Sequence, residues 1–165
     1  MVHPLGTNNL RGDVLSRMIY GSRTSLIGGI VAIGLAAAVG MPLGLIFTFF
    51  GGKVYATIMR FIDTLMALPL IMLALAIASL LGGTLKNIVI TLAVSMIPSY
   101  ARMMCSHPLS IKENDYVTAS HAIGAGNLHV MLRHIATNYF SPLIVLMTMM
   151  MGRAILAEAA LSFLG

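Results

Sequence analysis

Charge is scarce in this chain. Asp, Glu, Lys and Arg make up 9% of its 165 residues, where a water-soluble globular domain carries roughly 25%. A surface so poor in charge cannot face water on all sides, so an ordinary soluble domain is excluded. Cysteine is nearly absent too. The single Cys105 excludes a disulfide within the chain and any zinc site built on several cysteines. The formal net charge is +5, but the basic residues are scattered through the polar segments. They form no dense stripe, which argues against nucleic acid as a partner. A phosphate-cradling loop is also lacking. Its pattern is G-x-x-x-x-G-K-[ST], and the nearest approach, Gly51, Gly52 and Lys53, has Phe47 at the first position and Val54 after the lysine. No His-Glu-x-x-His pair of zinc ligands occurs. Residues 1–9 have no charged start leading into an apolar stretch, so no signal peptide is expected there. No internal repeat or low-complexity segment is evident.

What is present is apolar. Hydrophobic residues make up 58% of the chain and the mean hydropathy is +0.93. The solvent that suits such a chain is the bilayer, where every backbone polar group must be paired within the protein, leaving helices or a closed barrel. Barrel strands alternate apolar and polar residues over about ten positions. The unbroken run Leu26–Phe50 does not, so the expected fold is all-α, a polytopic bundle of transmembrane helices. Residues 1–25 read as a polar, partly amphipathic segment, with Val14, Met18 and Ile19 set among arginines. The transmembrane domain then occupies residues 26–165. Its four expected spans are about 26–50, 65–81, 85–100 and 139–164, with a long polar loop over 102–138. Gly51-Gly52 should end the first span, and residues 54–63 read as the start of an interfacial helix. Lys86 and Pro98 weaken the third span. If the long loop is cytoplasmic, the Lys/Arg count in short segments is five inside against four outside, which leaves orientation open on charge alone. Cys105 falls at the inner end of span three and offers a labelling probe of that orientation.

The long loop carries a pattern of its own. Tyr116, Ala119 and Ile123 share one helical face, Gly124 suits a helix C-cap, Asn127 suits the next N-cap, and Leu128, Met131, Leu132 and Ile135 follow at helical spacing. Spacing predicts helix–turn–helix, and an ordinary interfacial hairpin has the same signature. His121, His129 and His134 share no single face, so solvated or headgroup histidines are favoured over a metal site. Gly40 and Gly44, with Ala36 a turn earlier, make a small-residue face suited to close helix contact, within the chain or against a second subunit. Met147, Met149, Met150 and Met151 fit apolar packing or an adaptable substrate path. Glu158 stands out most. An acidic residue in mid-span costs about 2.5–3.5 kcal/mol on insertion scales and usually faces the bundle interior or water. Arg153, five residues away, is poorly spaced to pair with it on the same helix, so structural pairing across the bundle and a role in a path stand side by side.

Several blocks of sequence resemble a known family. Residues 115–128, from Asp115-Tyr-Val-Thr-Ala-Ser to Asn127-Leu, followed by Arg133-His-Ile, are similar to the EAA loop of permeases from binding-protein-dependent ABC importers. The dipeptide, oligopeptide and nickel permeases are the subfamily most resembled. His3-Pro-Leu-Gly, Asp13-Val-Leu-Ser-Arg and Tyr20-Gly-Ser-Arg resemble the segment before that family's second span, and residues 154–165 resemble its fifth. The resemblance thus covers almost the whole chain. There are departures. Thr118-Ala119-Ser120 stands where the family has its EAA triplet, Ala136-Thr137 where it has Leu-Pro, Arg11-Gly12 inverts a Gly-Arg pair, and Arg153 replaces a small residue.

The resemblance implies a permease subunit that moves peptides or a related small solute across the plasma (inner) membrane and catalyses nothing itself. It implies a cytoplasmic loop docked on a separate ATPase, with Asp115, Tyr116, Ala119, Ser120, Ile123 and Gly124 as the coupling residues. It implies as partners a second permease subunit, two ATP-binding subunits and an extracytoplasmic substrate-binding protein. ATP is then used by the partners, and no cofactor is expected on this chain. A full family member would have six spans, so a four-span chain ending at Gly165 without a polar flank reads as part of a longer protein. The rival reading from another class is an intramembrane enzyme or membrane scaffold that uses Glu158 and the loop histidines.

Overall fold

The computed structural model describes residues 5–7, 13–106 and 140–164. Among these residues there are five helices and no strand: α1 Val14–Phe50, α2 Gly52–Ala67, α3 Leu70–Leu81, α4 Leu85–Ser106 and α5 Phe140–Leu164. Three helices are long and apolar enough to cross a membrane, and the bent pair α2–α3 makes a fourth crossing if it is counted as one broken span. The all-α bundle expected from composition is what forms. The long loop of residues 107–139, with all six proposed coupling residues and with His121, His129 and His134, lies outside the described residues.

Helix α1 differs from the expected division at residue 25. It runs unbroken for 37 residues, about 55 Å at 1.5 Å per residue. Asp13 caps its start and accepts hydrogen bonds from the Ser16 amide at 3.3 Å and the Ser16 hydroxyl at 2.7 Å. The amphipathic segment and the first span join because nothing between them breaks a helix. Ser22 and Thr24 turn their hydroxyls back onto the Ile19 and Tyr20 carbonyls, so their polar groups are satisfied without leaving helical geometry. The helix ends where expected, at Gly51, whose φ of +59° favours glycine.

The second expected span, 65–81, is corrected. Residues 65–67 close α2, Leu68 and Pro69 are not helical, and α3 leaves at 92° to α2. The cause is local. Proline has no amide hydrogen to donate, and its ring drives the preceding residue out of the helical region; Leu68 accordingly has φ −79° and ψ 134°. Helix α3 is 12 residues long, about 18 Å, or roughly half a bilayer core. Beyond it, Gly82 (φ +86°) turns the chain, the Thr84 hydroxyl accepts from the Asn87 amide, and the Asn87 side chain reaches back to the Leu81 carbonyl. Helix α4 then continues past the expected end at residue 100 to Ser106, taking Pro98 within it.

Helix α4 is the hub and packs against each of the other four. Its most extensive partner is α1, and two glycines of α1, Gly40 and Gly44, explain why. A Cβ at Gly40 would lie 2.7 Å from Tyr100 Cβ and 2.8 Å from the Ile97 carbonyl oxygen; one at Gly44 would lie 2.5 Å from the Ala101 oxygen and 2.6 Å from Met104 Cβ. Backbone therefore meets backbone at this seam, and the small-residue face is used within the chain. Around it Leu92, Met96 and Tyr100 are fully buried. Three of the four clustered methionines, Met147, Met150 and Met151, pack on that core, while Met149 faces out.

Candidate functional site

The buried polar groups of this apolar bundle lie on α4 and α5, and an exposed arginine, Arg153, lies beside the α2–α3 break. Glu158 is buried on α5, with 6% of its surface exposed. Its carboxylate lies against α1 at Gly28: a Cβ there would be 3.3 Å from Oε1 and 3.4 Å from Oε2. Gly28 thus leaves the notch that the carboxylate fills. Neither oxygen has a hydrogen-bond or salt-bridge partner among the described residues, and Oε2 is cut off from solvent. Arg153 forms no ion pair with it. On α4, the Thr91 hydroxyl oxygen and the Tyr100 hydroxyl are likewise buried without a partner, while Ser95 donates to the Thr91 carbonyl at 2.8 Å. Buried polar groups in a native interior are nearly always bonded, so unpartnered ones mark the places where function is to be sought.

Arg153 lies elsewhere. It lines a cleft of about 220 Å³ with Leu65, Leu68, Pro69 and Leu70 of the α2–α3 break and with Ser95, Pro98 and Ser99 of α4. Its five-residue spacing from Glu158 is poor for pairing on one helix, and the fold sets it in a different neighbourhood. The signal that was there to be read was Pro69, set inside an expected span.

A second polar set lies toward the far end of α4. Asp63 of α2 and Arg102 of α4, both about half exposed, form a salt bridge. The Tyr55 hydroxyl donates to the Cys105 carbonyl at 3.3 Å. These contacts tie α2 to α4, and sequence spacing could not pair residues 39 positions apart. Cys105 corrects its expected use as a topology probe. It is fully buried, with its thiol toward the Gly44 carbonyl at 3.4 Å, so slow labelling would report burial and say nothing of sidedness. Among the described residues no three His, Cys, Asp or Glu side chains come together as a metal site requires.

A bundle of apolar helices with a broken half-length helix and polar groups at mid-depth defines a multi-pass membrane protein of the transport type. Comparison with known proteins gives the family. Residues 40–165 match the family described as the binding-protein-dependent transport system inner membrane component, and the chain belongs to it. It is 42% identical over 161 residues to the dipeptide transport system permease protein DppC of Haemophilus influenzae, covering 98% of this chain and 55% of that protein. It is 41% identical to the di/tripeptide transport system permease protein DppC of Pseudomonas aeruginosa, over 98% of this chain and 53% of the relative. It is 37% identical to the glutathione transport system permease protein GsiD of Shigella dysenteriae, over 99% and 54%. The chain thus spans about half the length of these relatives. The family and these relatives are transport components rather than enzymes, and the intramembrane-enzyme reading finds no support.

Proposed function

We propose that this chain is the membrane-spanning permease part of an ABC importer and forms one wall of a translocation path for peptides or a related small solute. The observation that carries the reading is the family match over residues 40–165, joined to relatives named for dipeptide, di/tripeptide and glutathione transport. The broken helix and the buried, unpartnered Glu158 support it, because intramembrane ionisable groups and interrupted helices recur along transport paths.

The chain sits in the inner membrane with the 102–138 loop on the cytoplasmic side. Its partners are a second permease subunit, two ATP-binding subunits that hydrolyse ATP, an extracytoplasmic substrate-binding protein, and the lipid bilayer. Coupling runs through Asp115, Tyr116, Ala119, Ser120, Ile123 and Gly124, a set that rests on the resemblance and on helical spacing. The test is ATP hydrolysis in a reconstituted complex of the full-length permease, its partner permease, both ATPases and the binding protein. Peptide-loaded binding protein should stimulate hydrolysis. Gly124→Val should remove that stimulation while membrane insertion stays normal. Stimulation that survives the substitution would show that this turn does not aim the coupling helix.

A further inference from the structure

Arg153 is the 14th of the 25 residues of α5, and Ser95 and Ser99 lie near the middle of the 22-residue α4. Helix α3 starts beside them at Leu70 and reaches 12 residues to the Gly82 turn. That is about 18 Å, roughly half the hydrocarbon thickness. The cleft these groups line therefore sits near mid-membrane, where an arginine is expensive and normally pairs with an acidic side chain or faces a water-filled path. No acidic partner stands opposite it among the described residues. Asp63 is engaged with Arg102, and Glu158 fills the notch at Gly28.

Ser99 can donate there as well. Ser99 makes no hydrogen bond among the described residues, so its hydroxyl is free to donate. Ser95 spends its own on the Thr91 carbonyl. Helix α3 begins with Pro69 as N-cap and no side-chain cap, and its first internal bond runs from the Leu73 amide to the Pro69 carbonyl at 3.1 Å. The amides of Leu70, Ile71 and Met72 are thus left without helical acceptors, at the positive end of the helix dipole. Arg153, Ser99 and Leu70, the first residue of α3, thus line one cleft at mid-depth, with no anion among the described residues to meet them.

We propose that this cleft is a carboxylate subsite, which receives the C-terminal carboxylate of the peptide as it crosses. The guanidinium of Arg153 supplies the charge and a planar fork that matches a carboxylate in two-point contact. Ser99 and the opening amides of α3 take the remaining lone pairs. The inference rests on the proposed peptide transport and adds to it a residue that reads the chemistry of the cargo.

Two measurements test it, and they separate its failure from that of the function. The first is uptake by the assembled transporter in proteoliposomes, comparing a dipeptide with its C-terminal amide. Each variant-to-parent ratio is taken for one substrate at a time, so that selection by the binding protein cancels. Arg153→Gln should lower uptake of the free carboxylate roughly tenfold, the loss of one charge-assisted contact, and leave the amide unchanged. Arg153→Lys should retain part of the preference. The second measurement needs no transport. In the same complex carrying Ser99→Cys, with Cys105 buried and silent, the rates of modification by an anionic and a cationic thiosulfonate are compared. The anionic reagent should be favoured, and Arg153→Gln should lower that ratio roughly tenfold through loss of the local field. If no peptide is moved by the parent, the proposed function falls and the reagent ratio alone decides the site. Equal losses for carboxylate and amide, or a reagent ratio indifferent to Arg153→Gln, would overturn the subsite.

Discussion

Replacing Gly44 by alanine puts a methyl group where two backbones already touch. The added Cβ would meet the Ala101 carbonyl oxygen at 2.5 Å and Met104 Cβ at 2.6 Å, against about 3.5–4.0 Å for an unstrained contact between carbon atoms. The α1–α4 seam would have to open by about 1 Å. Neither obstacle can swing aside, because one is backbone and the other is fixed to it. Overpacking of this kind typically costs about 1–3 kcal/mol, while alanine in place of a helical glycine returns up to about 1 kcal/mol. The net loss is about 1–2 kcal/mol. Gly34 supplies the control. It lies in the same helix, and a Cβ there meets nothing within 4 Å, so Gly34→Ala should gain the propensity term and become more stable. The native reporter is Cys105, buried at this seam with its thiol 3.4 Å from the Gly44 carbonyl. Its maleimide labelling rate in mild detergent follows opening of the seam. Gly44→Ala should speed labelling roughly 5–30-fold, the factor that 1–2 kcal/mol implies, and Gly34→Ala should slow it. If both variants shift the rate in the same direction, the seam is not packed through Gly44 and the argument fails.

Two further outcomes follow from the same packing. Glu158→Leu should keep membrane insertion and raise detergent stability by about 1 kcal/mol, because it removes a buried carboxylate with no partner, while peptide-stimulated ATP hydrolysis in the full complex falls; a loss of stability in a thermal melt would mean that the carboxylate is satisfied. In sealed membrane vesicles of either orientation, Cys105 of the parent chain should resist maleimide and label fully only once the bundle is unfolded in dodecyl sulfate, and fast labelling from one face would contradict its burial.

The all-α class was legible because hydrophobicity in a bilayer leaves only one way to satisfy an unbroken apolar backbone. Helix ends set by glycine were legible too: Gly51 and Gly82 stop α1 and α3 where their composition suggested. The break at Leu68-Pro69 was missed because apolar residues continue straight through it, and a hydropathy reading follows composition rather than the missing amide. The join of residues 14–25 to the first span was missed for the converse reason. Arginines marked a change of environment, and environment changes along a helix without ending it. The small-residue face at Gly40 and Gly44 was visible as a face, but only the fold shows that Tyr100, Ala101 and Met104 meet it. For the site, Glu158 could be singled out by charge alone. Arg153 could not be placed, because its neighbours come from segments more than 50 residues earlier.

The way the bundle is packed also bears on which parts of it can shift. Between α1 and α4 the contact at Gly40 and Gly44 is backbone on backbone, and such a contact has no side-chain rotamers with which to accommodate sliding. Such a seam resists sliding of α1 against α4. Helix α5 meets the same core through Leu143 and Ala154, with Met147, Met150 and Met151 packed at its margin, where unbranched side chains repack at little cost. Helix α2 is joined to α3 through two non-helical residues and to α4 through a half-exposed salt bridge and one tyrosine hydrogen bond, contacts that break and reform in water or headgroups more cheaply than a packed seam. The softer contacts thus lie at the methionine margin of α5 and at the α2–α3 joint. The Arg153 cleft is bounded by both, with the rigid α4 as its third wall. A rearrangement that uses the soft contacts and spares the stiff one must change the width of that cleft, and so must change the distance between the Arg153 guanidinium and the start of α3.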